Sequence, residues 1–353
     1  MTRVTIVYPN PRGELIAEAR AGNAPETTLL GLNQLAQHGF DVRVRDSFLD
    51  TRTGLVPKRV RWHLRELTLP WEAGETDVLF TPLANLIPLT ARARRLPIVV
   101  FNFGVNTILR RGNAARRAAL ASALRQATAV VSLAASQRDE LVELARIDPQ
   151  RAHVALHGVD HRFFAPIDET PRERFVLAVG RDLARDFPTF LAAVCNLDAR
   201  VVVLAVRARN FAGLELPANV EVREGVSWNE LRRLYARAGC AVIPLRPRDY
   251  PFGSEASGVT ALLEAEATAT PIVATNRPIM REYLTHGESA LLVPEQDPSA
   301  LRAAICSLLD DPELAHAFGR AGRRRVVAHH TMDDMAAQLA PLLEGAAAVR
   351  RAR

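Results

Sequence analysis

The sequence predicts an α/β protein made of two doubly wound domains, each built on a parallel sheet. Short apolar runs alternate with helical patterns along most of the chain, which is the order that parallel strands and crossover helices produce. The 353 residues allow two domains of ordinary size, each with its own core. A polar stretch with prolines at 165–174 predicts a connector between them.

Residues 1–165 are predicted to form the first domain. The predicted strands are 4–8, 41–45, 77–81, 98–102 and 129–133, and the predicted helices are 25–38, 83–95, 107–126 and 137–145. A parallel sheet of this kind binds ligands beyond the carboxyl ends of its strands. Gly13 lies in the turn after the first strand, so it is a candidate for ligand contact, although it is equally typical of a plain turn.

Residues 166–330 are predicted to form the second domain, with a final helical pattern after it. The predicted strands are 175–180, 201–206, 220–223, 240–245 and 272–275, and the predicted helices are 187–193, 228–238, 298–309, 313–328 and 333–344. Ser227 has the type and position of a helix N-cap. The alternation of elements is thus the same in both halves.

The stretch SEASGVTALLEAEATATPIVATN, residues 254–276, predicts a loop, a helix and a buried strand. Ser257 or Gly258 begins the helix, whose first backbone N–H groups have no partner within the helix and attract phosphate. Small residues here allow a diphosphate to approach the backbone closely. The alternative is an ordinary helix–strand unit with Glu264 on a solvated face.

Two arginines follow the strand 175–180. Arg181 comes directly after Gly180, and Arg185 lies four residues further on, where the next helix begins. A pair of guanidinium groups on a strand-to-helix turn matches the oxygens of a phosphate. Arg185 could equally be a solvated arginine at the start of a helix.

The amino-acid composition indicates which kinds of partner and which cell compartment to expect. The net charge of +6 would suit an anionic partner, but almost all of it is arginine and no aromatic residues interleave, so nucleic acid is not expected. The three cysteines are odd in number and far apart, which is typical of core packing in a reducing compartment. There is neither a run of ~20 apolar residues nor a signal-peptide pattern, so we expect a cytoplasmic protein.

Residues 107–126 carry five arginines and predict a basic helix. This helix either contacts an anionic partner, which is lipid at the inner face of the membrane or an anionic acceptor, or it presents a solvated arginine face. The solvated face is favoured because the segment lacks a large apolar surface. The five are Arg110, Arg111, Arg116, Arg117 and Arg125.

Four motifs resemble the retaining glycosyltransferases of the two-Rossmann-domain type, glycosyltransferase family 4 (glycosyl transferases group 1) in particular. They are Leu263-Glu264-Ala265, Thr270-Pro271-Ile272-Val273-Ala274, Gly158-Val159-Asp160 and Gly180-Arg181. The resemblance implies two Rossmann-like domains that face each other across a cleft, the B-type fold of this class. It places the acceptor on residues 1–165 and the donor on 166–330, with a terminal helix at about 331–353 crossing back to the first domain.

The resemblance also implies roles for individual residues. Glu264 would bind the ribose hydroxyls, Arg207 and Val226 would border the nucleotide base, and Gly13 would border the donor phosphates. The donor diphosphate would be held by Gly180, Arg181, Arg185, Ser257, Gly258, Val259 and Thr260. Arg181, Arg185 and Glu255 would act in catalysis.

The chain departs from the family pattern at two positions. Ala256 stands where the family has its first glutamate, and Glu255 next to it could serve after a shift of one residue. Phe103, beside Asn102, stands where the family often has a histidine. We therefore expect no local general base, and the leaving phosphate itself would help to deprotonate the acceptor.

The expected function is metal-independent, retaining transfer of a hexose-type sugar from a nucleoside-diphosphate sugar, by family frequency a UDP-sugar. The acceptor would be a hydroxyl of an unidentified glycan, lipid-linked glycan or small metabolite. No cofactor is expected, and no metal, since no Asp-x-Asp pattern lies at a strand end. The alternatives are a homologue that binds sugar nucleotides without turnover and a sugar-nucleotide epimerase of similar architecture.

Overall fold

The computed structural model describes residues 1–8, 11–45, 68, 70–71, 73–82, 87–167 and 171–351. Parts of the predicted helix 83–95, of the connector 165–174 and of the terminal helix 331–353 therefore lie outside the described residues. The chain divides into two compact units. The first unit comprises Met1–Glu18, Leu29–Leu156 and Asp333–Arg353, and the second comprises Ala19–Thr28 and His157–Met332.

The first unit contains a six-stranded sheet in the order β2-β1-β3-β4-β5-β6. All of its strand pairs are parallel. The strands are β1 (Thr2–Val7), β2 (Phe40–Arg45), β3 (Val78–Thr81), β4 (Ile98–Asn102), β5 (Ala129–Ser132) and β6 (Ala152–Val154). Strands β3, β4 and β5 are buried along their whole length, which explains their continuous apolar sequences.

Helices connect these strands and cover the sheet. The helices are α1 (Gly13–Arg20), α2 (Leu32–Gln37), α3 (Ile87–Ala93), α4 (Val105–Arg111), α5 (Ala114–Leu124) and α6 (Ala135–Ala145). A last helix, α14 (Met332–Arg351), lies at the end of the chain. Apolar residues of the strands and of α4, α5 and α6 form one core cluster.

The predicted helix at 25–38 is wrong. The structure has a single turn of 3-10 helix at Thr27–Leu29 and then α2. Leu30 and Gly31 between them both have positive φ angles, which end any regular helix at that point. The helix α1 was not predicted at all.

The structure divides the predicted helical segment 107–126 in two at Gly112-Asn113, the pair that interrupts the helical pattern in the sequence. Gly112 is extended, with a ψ of 156°, so α4 ends there. Asn113 then caps α5, and its side chain accepts a hydrogen bond from the backbone N–H of Arg116. Gly112 thus ends α4, and Asn113 begins α5 as its N-cap.

The second unit contains another six-stranded parallel sheet, in the order β12-β11-β10-β7-β8-β9. Its strands are β7 (Glu173–Val179), β8 (Arg200–Leu204), β9 (Val220–Arg223), β10 (Ala238–Ile243), β11 (Ile272–Thr275) and β12 (Ala290–Val293). β7 pairs with β8 on one side and with β10 on the other. The strand order therefore reverses direction between β7 and β10, the place where doubly wound sheets bind ligands.

The helices of the second unit are α7 (Phe187–Val194), α8 (Arg207–Asn210), α9 (Trp228–Arg237), α10 (Val259–Ala267), α11 (Pro278–Tyr283), α12 (Pro298–Asp310) and α13 (Pro312–His329). Ser227 caps α9 as predicted. A core cluster joins the strands with α7, α12 and α13. The predicted fold class, α/β with two Rossmann-like units, is confirmed by these two sheets. Among the helices that the structure describes, none is both long and apolar enough to cross a membrane.

Asp160 of the Gly158-Val159-Asp160 motif has a structural role within the second unit. Its carboxylate accepts hydrogen bonds from the backbone N–H groups of Arg162, Phe163 and Glu26. Its own backbone N–H donates to the hydroxyl of Thr27. Asp160 thus fixes the turn that follows it and holds the segment 26–27 against that turn.

Gly319→Ala should destabilise the protein by about 1–3 kcal/mol, because it overpacks a helix contact. A methyl group on Gly319 of α13 would collide with the backbone carbonyl oxygen of Ala269, just after α10. Urea unfolding of the variant measures the loss. Gly345→Ala in α14, where a methyl group meets nothing within 4 Å, is the matched control and should be neutral or slightly stabilising.

Candidate functional site

The candidate site lies at the carboxyl ends of β7 and β10. After β7 the chain turns through residues 180–186 before α7 begins, and after β10 it passes through residues 244–258 to α10. The two segments are hydrogen-bonded to each other. The backbone N–H of Arg246 donates to Ala184 O at 2.8 Å, and that of Asp186 donates to Pro244 O at 3.0 Å.

Arg185 is buried in this site. Only 5% of the residue is exposed, and its Nη2 donates to the carbonyl oxygen of Val179 at 2.6 Å. Its guanidinium lies against two glycines: a Cβ on Gly180 would collide with Nε, and a Cβ on Gly258 would lie 3.2 Å from Nη1. Burial lowers the pKa of Arg185 to about 10, so the group is still a cation at neutral pH. The alternative of a solvated Arg185 is therefore excluded.

Gly258 begins α10 and must be glycine. Its φ of +95° lies in the left-handed region, and a Cβ would come within 2.6 Å of the Ile243 side chain. Residues Ser254 to Gly258 form a hydrogen-bonded turn, in which Ser257 N donates to Ser254 O at 3.0 Å. The backbone N–H of Val259, the first of α10, donates to the carbonyl oxygen of Ala256 in this turn at 3.2 Å, so the expectation that it has no partner is wrong. The dipole of α10 makes this end attractive to an anion.

Three polar atoms of the site are buried and have no hydrogen-bond partner among the described residues. They are Nε and Nη1 of Arg185 and Oγ of Ser257. An unpartnered buried donor costs about 1–3 kcal/mol, so such groups in a native fold call for an explanation. All three lie beside the start of α10, where a ligand with several oxygen acceptors would satisfy them.

Glu264 is also buried, in the second turn of α10. Its Oε2 accepts a hydrogen bond from the Tyr235 hydroxyl at 3.1 Å. Burial raises the pKa of Glu264 to about 8, and the hydrogen bond from Tyr235 and the charge of Arg185 oppose that rise. The structure thus brings Arg185, Gly180, Ser257, Gly258 and Glu264 together, and it excludes a solvated Glu264.

The sequence analysis missed two residues of this site, Tyr235 and Asp182. Oδ1 of Asp182 accepts from the backbone N–H of Ala184 at 2.8 Å and from that of Ser254 at 3.1 Å, so it ties the two segments together. An Asp two residues before the bonded N–H is typical of an Asx turn, and that signal was available. Tyr235 lies on the buried face of α9, and nothing in the sequence indicates which partner its hydroxyl finds.

Arg181 lies on the same turn as Arg185 but is exposed. Its guanidinium makes no ion pair within the described part of the chain. Arg207 begins the short helix α8 after β8, is exposed, and donates its backbone N–H to Glu224 Oε1 at 2.7 Å. Val226 follows β9 and is half-buried. These two residues flank the carboxyl ends of β8 and β9, beside the site rather than within it.

The structure defines the local conformation around Ala256, which stands where the family has its first glutamate. Ala256 is buried, and Glu255 is buried as well, with 6% of the residue exposed. The backbone N–H of Ala256 donates to the Ser254 hydroxyl at 3.1 Å, so this lead-in is a fixed turn. Within the described residues, no group of three or more His, Cys, Asp or Glu side chains is placed to hold a metal ion.

Gly13 lies in the first unit as the first residue of α1, after β1. It is exposed, and a Cβ there would meet nothing within 4 Å. Local packing therefore does not require a glycine. Its predicted contact with the donor phosphates stays a prediction.

Asn102 is the last residue of β4. The family often has a histidine just after this strand. Asn102 Nδ2 donates to Asn106 Oδ1 at 2.9 Å, and Asn102 Oδ1 accepts from the N–H of Val105 at 2.9 Å. Asn106 in turn donates to Glu140 Oε2 at 2.9 Å. This buried network joins β4 to α4 and α6, and it offers no histidine.

Two of the five arginines of the segment 107–126 act in packing. Arg110 pairs with Glu140 at 3.1 Å, and Arg125 donates to the carbonyl oxygen of Ala145 at 2.8 Å. Arg111, Arg116 and Arg117 are exposed. Their predicted contact with a membrane surface stays a prediction.

The protein should lose stability in mild acid through His157. This buried residue lies 3.4 Å from the Thr260 hydroxyl through Nε2, and burial and the charge of His330 lower its pKa from 6.5 to about 4. The unfolded chain takes up this proton below pH 6.5 but the folded chain does not, so stability falls as pH drops from 6.5 towards 4. The loss is about 3 kcal/mol. Urea unfolding across this range should show a shallower loss for His157→Gln, whereas the exposed control His38→Gln should behave as the wild type.

Comparison with known proteins supports the family resemblance that the sequence motifs indicate. Residues 208–325 match the family model of glycosyl transferases group 1. The chain is 30% identical over 226 residues to MMP alpha-(1→4)-mannosyltransferase of Mycolicibacterium hassiacum, covering 61% of this chain and 53% of that protein. It is 34% identical over 126 residues to GDP-mannose-dependent alpha-(1-6)-phosphatidylinositol monomannoside mannosyltransferase of Mycobacterium tuberculosis, covering 36% of this chain and 32% of that protein. The matched stretches thus span about half or less of these curated relatives.

A solved structure extends the likeness to the whole fold. Anabaena HepE, solved in complex with UDP and glucose, superposes with a TM-score of 0.71 at 14% identity and covers 98% of this chain and 99% of that one. At this identity the likeness concerns the fold alone, which is that of the B-type glycosyltransferases. The predicted resemblance is confirmed over residues 208–325, the part of the chain that matches the model of the glycosyl transferases group 1.

Proposed function

We propose that this protein is a glycosyltransferase of family 4 that transfers a hexose from a nucleoside-diphosphate sugar to an acceptor hydroxyl. The observation that carries the proposal is the set of three unpartnered buried atoms on Arg185 and Ser257, beside the start of α10. A diphosphate supplies the oxygen acceptors that these donors lack. The exposed Arg181 adds a second cation at the rim of the same turn.

The arrangement supports departure of a nucleoside diphosphate without a metal ion. Negative charge grows on the leaving diphosphate in the transition state, and fixed cations and helix N–H groups stabilise it there. Arg185 is held in place by Val179 and the two glycines, so little reorganisation is needed. We propose retention of configuration, with the departing phosphate taking the proton of the acceptor hydroxyl, since Phe103 stands where the family often has a histidine.

The base of the donor is proposed to be uracil. HepE, which shares the fold, was solved with UDP, whereas the mycobacterial relative is named for GDP-mannose. Thermal stabilisation by UDP, GDP, ADP and their sugars, measured with EDTA present, discriminates them. Stabilisation of ~2–3 kcal/mol is expected at a hundredfold excess of ligand over Kd. An absolute need for magnesium or manganese would overturn the metal-independent mechanism.

Ala256 favours a second candidate function, binding of a sugar nucleotide without turnover. A transfer assay on the wild type discriminates the two, and Glu255→Gln tests whether Glu255 takes part in transfer. If Glu255 contacts the sugar chiefly in the transition state, the variant should lose ~10-fold or more in transfer rate while the Kd for UDP is unchanged. Glu264→Gln is the matched control, and it should instead raise the Kd for donors with any sugar. An unaltered rate in Glu255→Gln would remove this residue from catalysis, and absence of any transfer by the wild type would favour the binding function.

A further inference from the structure

We propose that Tyr235 is a positioning residue that holds the Glu264 carboxylate as a hydrogen-bond acceptor for the ribose. This inference rests on the proposed function, because it assigns a role within the same donor site. It concerns a residue that contacts neither the sugar nor the phosphates. Tyr235 acts through Glu264 alone.

The buried hydroxyl of Tyr235 is placed to donate a hydrogen bond to Glu264. Its residue is 1% exposed, and its hydroxyl lies 3.1 Å from Glu264 Oε2 and 3.3 Å from the carbonyl oxygen of Ala261. A phenol has a single proton to donate, and both of these neighbours are acceptors. The hydroxyl therefore donates this proton to the nearer acceptor, the Glu264 carboxylate, and its longer contact with the Ala261 carbonyl oxygen is secondary. This hydrogen bond fixes the rotamer of Glu264 relative to the helix start that would bind the diphosphate.

The backbone of Tyr235 is fixed as well. Its carbonyl oxygen accepts from the Thr270 hydroxyl at 2.7 Å and from Arg172 Nη1 at 3.4 Å. The ring makes an edge contact with Phe164, with centroids 6.3 Å apart. A rigid donor of this kind loses little entropy when it orients a carboxylate.

The charge state of Glu264 depends on its neighbours. Tyr235 on α9 and Arg185 on the turn after β7 face it, and both favour the ionised form, whereas burial opposes it. Asp182 acts on Arg185 from the same turn, and Arg325 of α13 acts on Glu266 instead. An ionised carboxylate accepts hydrogen bonds from both ribose hydroxyls, whereas a protonated one gives up part of that capacity. Tyr235 thus lowers the pH at which Glu264 becomes ionised and can accept both hydrogen bonds.

The first test uses the ligand-free protein. The free energy of unfolding is measured from pH 6 to 10 for the wild type, Tyr235→Phe, Glu264→Gln and the double variant. The penalty of Tyr235→Phe should grow about tenfold in the unfolding equilibrium constant as pH rises through 8, because the ionised carboxylate has lost its donor. In the Glu264→Gln background the same penalty should be independent of pH. A penalty that is constant with pH in both backgrounds would overturn the proposal.

The second test measures the Kd of UDP and of 2′,3′-dideoxy-UDP against pH. For UDP, Tyr235→Phe should move the midpoint of the affinity profile up by about one pH unit. The dideoxy compound, which lacks the ribose hydroxyls, should bind both proteins alike. An equal loss for both ligands would show that Tyr235 supports α10 rather than Glu264, and this overturns the ribose role. If the wild type bound neither nucleotide while the ligand-free result held, the proposed function would fail and the Tyr235–Glu264 pair would stand.

Discussion

Arg181→Ala should lower sugar transfer by roughly 10- to 100-fold, since a charge-assisted contact to phosphate is worth about 1.5–3 kcal/mol. The fold should be unaffected, because the side chain is exposed. Most of the loss is expected in kcat, where charge develops on the leaving diphosphate, and a smaller part in KM for the donor.

Steady-state kinetics with a fixed acceptor and varied donor measures the effect of Arg181→Ala. Arg320→Ala, which removes an exposed arginine from α13 on the same unit, is the matched control and should leave both constants unchanged. Wild-type kinetics in Arg181→Ala would show that the phosphate site does not include this turn.

Glu266→Gln should make the protein more stable than the wild type at alkaline pH. Glu266 is fully buried on α10, and the Ser289 side chain is a hydrogen-bonding neighbour of its carboxylate that opposes a rise in its pKa. Burial raises its pKa from 4.5 to about 8, although the charge of Arg325 opposes the rise. Between pH 4.5 and 8 the unfolded chain has released this proton and the folded chain has not, so the wild type loses stability as pH rises.

The size of this effect follows from the same shift. Over that interval Glu266 costs the wild type roughly 5 kcal/mol, and the glutamine variant lacks this term. The difference in unfolding free energy between variant and wild type should therefore grow steadily from pH 5 to 9. Glu215→Gln, at an exposed loop position, should give a difference that does not vary with pH. A constant difference for Glu266→Gln would mean that Glu266 is ionised in the fold throughout.

The order of strands and helices could be predicted because each strand of a covered parallel sheet is a continuous apolar run. IVVFN of β4 and IVAT of β11 are examples, and both are buried at every position. Helix limits were harder to predict. The segment 25–38 has helical composition, but positive φ at Leu30 and Gly31 breaks it, and tertiary contacts decide that conformation. The break at Gly112-Asn113 carried a recognisable cap signal.

Some features of the candidate site could be predicted from the sequence, and others could not. Gly180, Arg185 and Gly258 lie in short contiguous motifs, so their grouping could be predicted from the sequence. Tyr235 and Glu264 are separated by 29 residues, and only the packing of α9 on α10 brings them together. The burial of Arg185 and Glu264 likewise depends on long-range packing, which local patterns do not record. Sequence motifs thus identified the candidate residues, but not the contacts that hold these residues in place.

Equilibrium titration of UDP and of uridine, with EDTA present, into the wild type and Arg181→Ala tests the central claim most directly. The claim is that the turn 180–186 and the start of α10 bind a nucleoside diphosphate through its phosphates. The account predicts saturable binding of UDP at one site, weaker binding in Arg181→Ala, and little or no binding of uridine by either protein. Equal affinity of the wild type for UDP and uridine, or binding of UDP only after a divalent metal is added, would contradict it.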